Sequence, residues 1–355
     1  MTVWKCALLA ALCSFVAGCS RVDSSKRLRI ITWSDYVPAE VAADFEKETG
    51  IHVELTLSNN EEIISKLHAT GGAGYDLAQP SVDRITGVER EFGLYKPIDL
   101  SKVNLEQFRP EILATAQKIA TLDGQLYALP YLWGSEGLVV NSKDTTITDY
   151  TDLCRADLKG KTSMRLRRPT LMAFAFSLGK DPFALYGDPK AYEALMEEVG
   201  RKLSQCKAIV RFFFDNRDQL LNGMRSGEIT AAMMWDTGGW TLNRENPDLR
   251  YVVPKSGALG WLDTFALPYK GRNDEGAYKW INFTMRPENA ARITRKVGNW
   301  TAARGTEDLV DQRMRAQFNE SFPNGAFAGI NWYPAIPPGL ESMEGRILDR
   351  VKAAN

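Results

Sequence analysis

Apolar positions near the start of the chain alternate between strand and helix periods. Residues 28–32 form a short apolar and β-branched run with the composition of a buried strand. Trp33, Ser34, Asp35 and Tyr36 follow directly. Pro38 then fits the first turn of a helix, where its missing N–H needs no partner. Val41 and Phe45 share one helical face, Gly50 supplies the stop, and residues 52–57 read as the next strand. The unit is β-α-β, with aromatic, hydroxyl and carboxylate groups outside the carboxyl end of its first strand. Open α/β sheets bind ligands at that position. An indole and a phenol beside a carboxylate suit an aliphatic amine, through cation–π contact and a charge-assisted hydrogen bond. The same tetrapeptide would equally form a surface loop with an Asx turn.

The alternation continues along most of the chain. A helix over 61–70, a turn at Gly71-Gly72-Ala73-Gly74 and a strand over 75–79 precede a helix near 84–91. A connection at 94–100, an extended segment at 126–133 and a strand at 136–141 follow. A second set comprises a strand at 162–166, helices near 170–178, 189–203 and 215–225, and strands at 229–235 and 249–253. Residues 262–268 read as a return crossing ahead of helices at 274–285 and 287–296. The pattern predicts an α/β protein of two lobes joined by extended crossings near 135–142 and 263–271. Residues 28–135 and 264–304 would form the first lobe, and 136–263 and 305–355 the second.

Composition narrows the class. Of 355 residues, 44% are hydrophobic and 25% charged, the balance of an ordinary globular protein. Residues 1–18 carry Lys5 and then an apolar run over 7–17, too short for a bilayer and fitting a signal peptide. The run ends in Val16-Ala17-Gly18-Cys19, which resembles the bacterial lipoprotein signal, with Cys19 acylated and residues 19–27 a polar tether. Lys5 is the only charge in the signal, so its removal takes the formally neutral chain to a net charge of −1. That gives no support for nucleic-acid binding. Cys6 and Cys13 leave with the signal, and Cys154 and Cys206 remain either to pair in an oxidising compartment or to stay as buried thiols.

The search for reaction chemistry is short. His52 and His68, the two histidines, have no neighbour at metal-ligand spacing. Trp133-Gly134-Ser135-Glu136-Gly137 is out of register for a nucleophile elbow. Gly160-Lys161-Thr162 imitates the end of a phosphate loop, but Arg155 stands where its first glycine belongs. No metal, cofactor or catalytic activity is expected.

Several stretches together resemble the bacterial periplasmic spermidine/putrescine-binding proteins, the solute-binding component of polyamine ABC importers. They are Trp33-Ser34-Asp35-Tyr36-Val37-Pro38, Phe45-Glu46-Lys47-Glu48-Thr49-Gly50-Ile51, Tyr75-Asp76-Leu77, Pro80-Ser81 and Pro130-Tyr131-Leu132-Trp133-Gly134. Further on come Ala232-Met233-Met234-Trp235, Gly260-Trp261-Leu262-Asp263, Ala266-Leu267-Pro268 and Ile281-Asn282-Phe283 with Arg286-Pro287. The resemblance implies a two-lobed periplasmic-binding-protein fold that closes on a small cation between its lobes. It implies ligand contacts at Trp33, Ser34, Asp35, Tyr36 and Ser81 from one side, and at Trp235 and Asp236 from the other. Trp261 and Asp263 would supply the ring and the carboxylate that anchors an ammonium. Asn299 stands where the family often has an aromatic, and Trp300 beside it could substitute. The implied partner is an inner-membrane ABC permease, with membrane attachment only through lipid on Cys19.

One departure bears on the ligand. The segment after the strand at 162–166 commonly provides carboxylates in this family, and here it reads Met164-Arg165-Leu166-Arg167-Arg168-Pro169. An arginine would repel an ammonium and favour a carboxylate or phosphate. If these side chains enter the cleft, the ligand is a short diamine or an amine that also bears an acid group. If they point to solvent, the polyamine reading is untouched. A polyamine sensor acting on a membrane receptor is the expectation from another functional class.

Overall fold

The computed structural model describes residues 24–143, 146–323 and 329–354. Strands β1 (Arg27–Thr32) and β2 (His52–Leu57) pair in parallel, with the helix Ala39–Thr49 between them as predicted. Gly50 ends that helix at a φ of 70° and donates its N–H to Glu46. β3 (Leu77–Ala78) adds in parallel on the other edge of β1, and β4 (Tyr95–Lys96) lies nearby. The helix Pro110–Ala120, in a stretch to which the sequence pattern assigns no element, begins on proline and buries Ile112, Ala116 and Ala120 along one stripe. A small ribbon of β5 (Thr121–Leu122) and β6 (Gln125–Leu126) follows.

The chain then enters β7 (Ala128–Asn141), one continuous strand where the sequence suggests two pieces. Its side chains are buried along nearly the whole length because helices cover the sheet there, while other strands pair with it on both edges. β8 (Thr162–Met164), β9 (Phe212–Phe213) and β10 (Ala231–Trp235) form a parallel set, with β10 antiparallel to β7. β11 (Leu249–Val252) also pairs with β7. β12 (Ala258–Pro268) then returns antiparallel to β7, reaching β3 and β4 at its far end. Short strands β13 (Trp300–Thr301) and β14 (Ile330–Trp332) complete the sheet.

β7 and β12 are therefore the two crossings, and each is a long strand shared by both lobes. The helices Asp274–Thr284 and Pro287–Val297 pack on Ala39–Thr49 in the lobe of β1. The C-terminal helix Leu340–Ala353 packs on Pro189–Cys206 and Arg168–Ser177 in the lobe of β8. Cys154 and Cys206 are joined by a disulfide with their Cα atoms 4.9 Å apart, fixing the end of Pro189–Cys206 to the turn Tyr150–Cys154. Cys19 and residues 1–18 lie outside the described residues. No helix among the described residues is long and apolar enough to cross a membrane.

Candidate ligand-binding site

Side chains alternate faces along a strand, so register assigns the floor of the groove between the lobes. Leu132, Gly134 and Glu136 of β7 share one face, and they stand opposite Asp263, Trp261 and Leu259 of β12. The Trp261 ring packs against Gly134. A Cβ at position 134 would sit 2.4 Å from that ring and 3.1 Å from the Asn299 amide, so only glycine admits this approach. Register slips between Asp263 and Thr264, a bulge that re-aims the Asp263 side chain.

Asp263 is where the first loop meets the crossing. Its two carboxylate oxygens accept hydroxyl hydrogen bonds from Tyr36 and Ser81. Tyr36 is steered by the turn after β1, in which Asp35 takes a left-handed φ of 67° and points to solvent. Tyr131 on β7 donates to the Tyr36 carbonyl, and the two rings meet edge-on at 6.1 Å. Trp33 lies 6.2 Å from Tyr36 and donates its indole N–H to the Gln79 carbonyl at 3.0 Å. Ser81 is held by Asn60, whose amide donates to the Ser81 hydroxyl at 3.0 Å. Ser34, one residue earlier in the turn than Asp35, is also exposed.

Burial pushes the Asp263 carboxyl up to about 6, against the opposing pull of Ser81 and Tyr36. Asp263 is 3% exposed, and among the described residues no lysine, arginine or histidine lies within ion-pair distance of it. Holding it ionised in this state costs about 3 kcal/mol relative to water. A ligand ammonium placed beside it would relieve that cost. Asp263 is thus a buried carboxylate held by a tyrosine and a serine hydroxyl, with the Trp33 and Tyr131 rings beside that tyrosine.

Asp236 is built differently. It opens the helix Asp236–Glu245 and accepts from the Ser135 N–H at 2.7 Å, the Ser135 hydroxyl at 3.0 Å and the Thr237 N–H at 2.6 Å. Ser135 lies on the face of β7 opposite Glu136, where it meets the Tyr251 hydroxyl at 2.8 Å. Burial pushes Asp236 up to about 7. The structure thus places it behind the crossing strands, not beside Asp263. Trp300 packs on Phe318 at 4.4 Å and is 2% exposed, within the core. Asn299 covers Gly134 and borders a cavity of about 520 Å³ whose walls include Arg217, Arg244, Arg295 and Lys296. Those cations disfavour an amine there.

The three arginines of the departing segment separate. Arg167 is exposed and pairs with Asp215 at 3.0 Å. Arg168 pairs with Glu344 at 2.8 Å, bonds the Tyr186 hydroxyl and lies 5.2 Å over Tyr333. Arg165 enters the groove. Its guanidinium sits 4.1 Å over the Trp235 ring and pairs with Glu136.

With this geometry in view, residues 40–316 match the bacterial extracellular solute-binding protein family. The chain belongs to that family. It is 31% identical to the spermidine/putrescine-binding periplasmic protein of Salmonella typhimurium, covering 84% of each chain. It is 26% identical to the putrescine-binding periplasmic protein of Escherichia coli over 99% of this chain and 98% of the relative. The spermidine/putrescine ABC transporter substrate-binding protein of Streptococcus pneumoniae superposes with a TM-score of 0.77 at 26% identity, covering 93% of this chain and 99% of that one. Proteins of this family capture solutes and carry out no reaction on them.

Sequence reasoning missed Glu136, Tyr131 and Gln79. Glu136 sits inside the motif set aside as a failed elbow. The period of two from Leu132 through Gly134 to Glu136 would have placed it on the floor. Tyr131 and Gln79 act through hydrogen bonds to Tyr36 and Trp33, for which the sequence carries no signal.

Proposed function

We propose that this protein captures an amine of the putrescine/spermidine class in the groove between its lobes and delivers it to an inner-membrane ABC permease. One observation carries the reading: Asp263, buried, bonded by two hydroxyls and without a cationic partner among the described residues, is a carboxylate prepared for an ammonium. Trp33, Tyr36, Trp235 and Trp261 supply ring faces for methylenes and cations. The names of the relatives support the same class. Closure of the lobes, 28–135 with 264–304 and 136–263 with 305–355, about β7 and β12 would trap the ligand and form the face presented to the permease. Acylation of Cys19 would tether the mature chain to a membrane of the envelope, and mass spectrometry of the purified N-terminus tests it. Calorimetric titration with putrescine, spermidine, spermine and amino-acid analogues tests the ligand class. Micromolar or tighter binding of a polyamine is expected, and binding of none of them would overturn the reading.

A further inference from the structure

The floor of the groove carries a second carboxylate that the first lobe does not touch. Asp263 stands opposite Leu132, and Glu136 follows four residues along β7 on the same face, about 13 Å away at 3.3 Å per residue. Glu136 is 5% exposed and accepts a hydrogen bond from Trp235, whose ring face is turned to the same space. The Tyr333 hydroxyl is buried without a hydrogen-bond partner among the described residues and lies near Glu136, Arg165 and Arg168. A carboxylate, an indole face and a phenol oxygen make up a cation seat of the same chemistry as the one at Asp263. It is filled by the Arg165 guanidinium, stacked on Trp235 and paired with Glu136.

We propose that Arg165 is a built-in cation that occupies the second cation seat and thereby limits the length of the ligand. This rests on the amine-binding reading above. A short diamine anchored at Asp263 ends before Glu136 and never meets Arg165. The far ammonium of a triamine would arrive where the guanidinium already lies, and like charges in a shielded groove repel strongly. Removal of Arg165 would free Glu136 and Trp235 for that ammonium. Arg168 cannot replace it, because Glu344, Tyr186 and Tyr333 hold its side chain.

The test is calorimetry with putrescine and spermidine on the parent protein, Arg165→Ala, Arg165→Lys and the double variant Arg165→Ala/Glu136→Gln, each checked for a cooperative melt. The parent is expected to prefer putrescine by at least tenfold. Arg165→Ala should raise the spermidine-to-putrescine affinity ratio at least tenfold, and Arg165→Lys, which keeps a cation in the seat, should not. Adding Glu136→Gln should cancel the gain. An unchanged ratio in Arg165→Ala, with the parent binding putrescine, would overturn this inference and leave the amine reading intact. Tight binding of an ω-amino acid that Arg165→Ala abolishes would also overturn it, assigning the guanidinium to a ligand carboxylate. Failure of every protein to bind either amine would instead sink the underlying reading.

Discussion

The Tyr36 hydroxyl donates to the Asp263 carboxylate across 227 residues of sequence. It joins the turn after the first strand to a bulge in the second crossing, so the proposed cation seat is assembled from segments distant in the chain. Loss of a carboxylate that holds a desolvated ammonium costs about 2–5 kcal/mol. Asp263→Asn, nearly the same size but uncharged, should therefore weaken amine binding more than tenfold. The ligand-free variant should melt no lower than the parent at pH 8, because a buried ionised group has been removed. Binding within twofold of the parent for every amine would take Asp263 out of the site.

The same carboxyl predicts a pH dependence. Its value in the fold, about 6, lies above its ordinary 3.8, so the folded ligand-free protein binds a proton there between those values. An ammonium needs the ionised form and must displace that proton. Amine affinity should be flat above pH 7 and fall by up to tenfold per unit below pH 6, with proton release on binding. Asp263→Asn should remove this slope. A slope that survives in the variant would assign the titration to another group, such as Asp236.

Arg84 and Glu341 form a bidentate pair at 2.8 and 2.7 Å between the segment after β3 and the C-terminal helix. Because the two elements belong to opposite lobes, the pair favours closure. It is partly solvent-exposed, so its worth is that of a surface pair, about 0.2–1 kcal/mol. Arg84→Ala should weaken ligand binding by about two- to fivefold and enlarge the radius of gyration of the ligand-free protein in solution scattering. Unaltered scattering together with unaltered affinity would show that the pair does not bias closure.

The disulfide closes a segment of 52 residues within one lobe, away from Asp263. Chain-entropy reasoning gives it about 4 kcal/mol of stabilisation. Cys154→Ala/Cys206→Ala should lower the midpoint of chemical unfolding by an amount corresponding to about 2–4 kcal/mol while amine affinity stays within threefold. A large loss of affinity in a variant that still unfolds cooperatively would show that this link shapes the groove.

The elements with strong local signals were legible in the sequence. The Ala39–Thr49 helix starts beside Pro38 and stops at Gly50, and its flanking strands fall where apolar alternation put them. Trp33 and Tyr36 stood out as candidates because aromatic and carboxylate side chains followed a strand end, whereas Asp263 was a candidate only through the resemblance to a known family. The helices Asp236–Glu245 and Gln312–Ser321 were not, since their few apolar positions acquire meaning only from the partners they meet.

By itself, then, the sequence determined the order of those strands and helices that carry strong local signals, and the residue types available for an amine, because periodicity and turn chemistry are local. Tertiary structure alone decided which groups hold each buried carboxylate. Asp236 and Asp263 are both aspartates beside tryptophan-bearing strands, but Ser135 draws the first behind β7, and a bulge turns the second toward Tyr36 and Ser81. It likewise sent Arg165 over Trp235 and Arg167 into solvent, two residues apart in the chain. Those outcomes depend on strand register and on hydrogen bonds between distant segments, which no local pattern encodes.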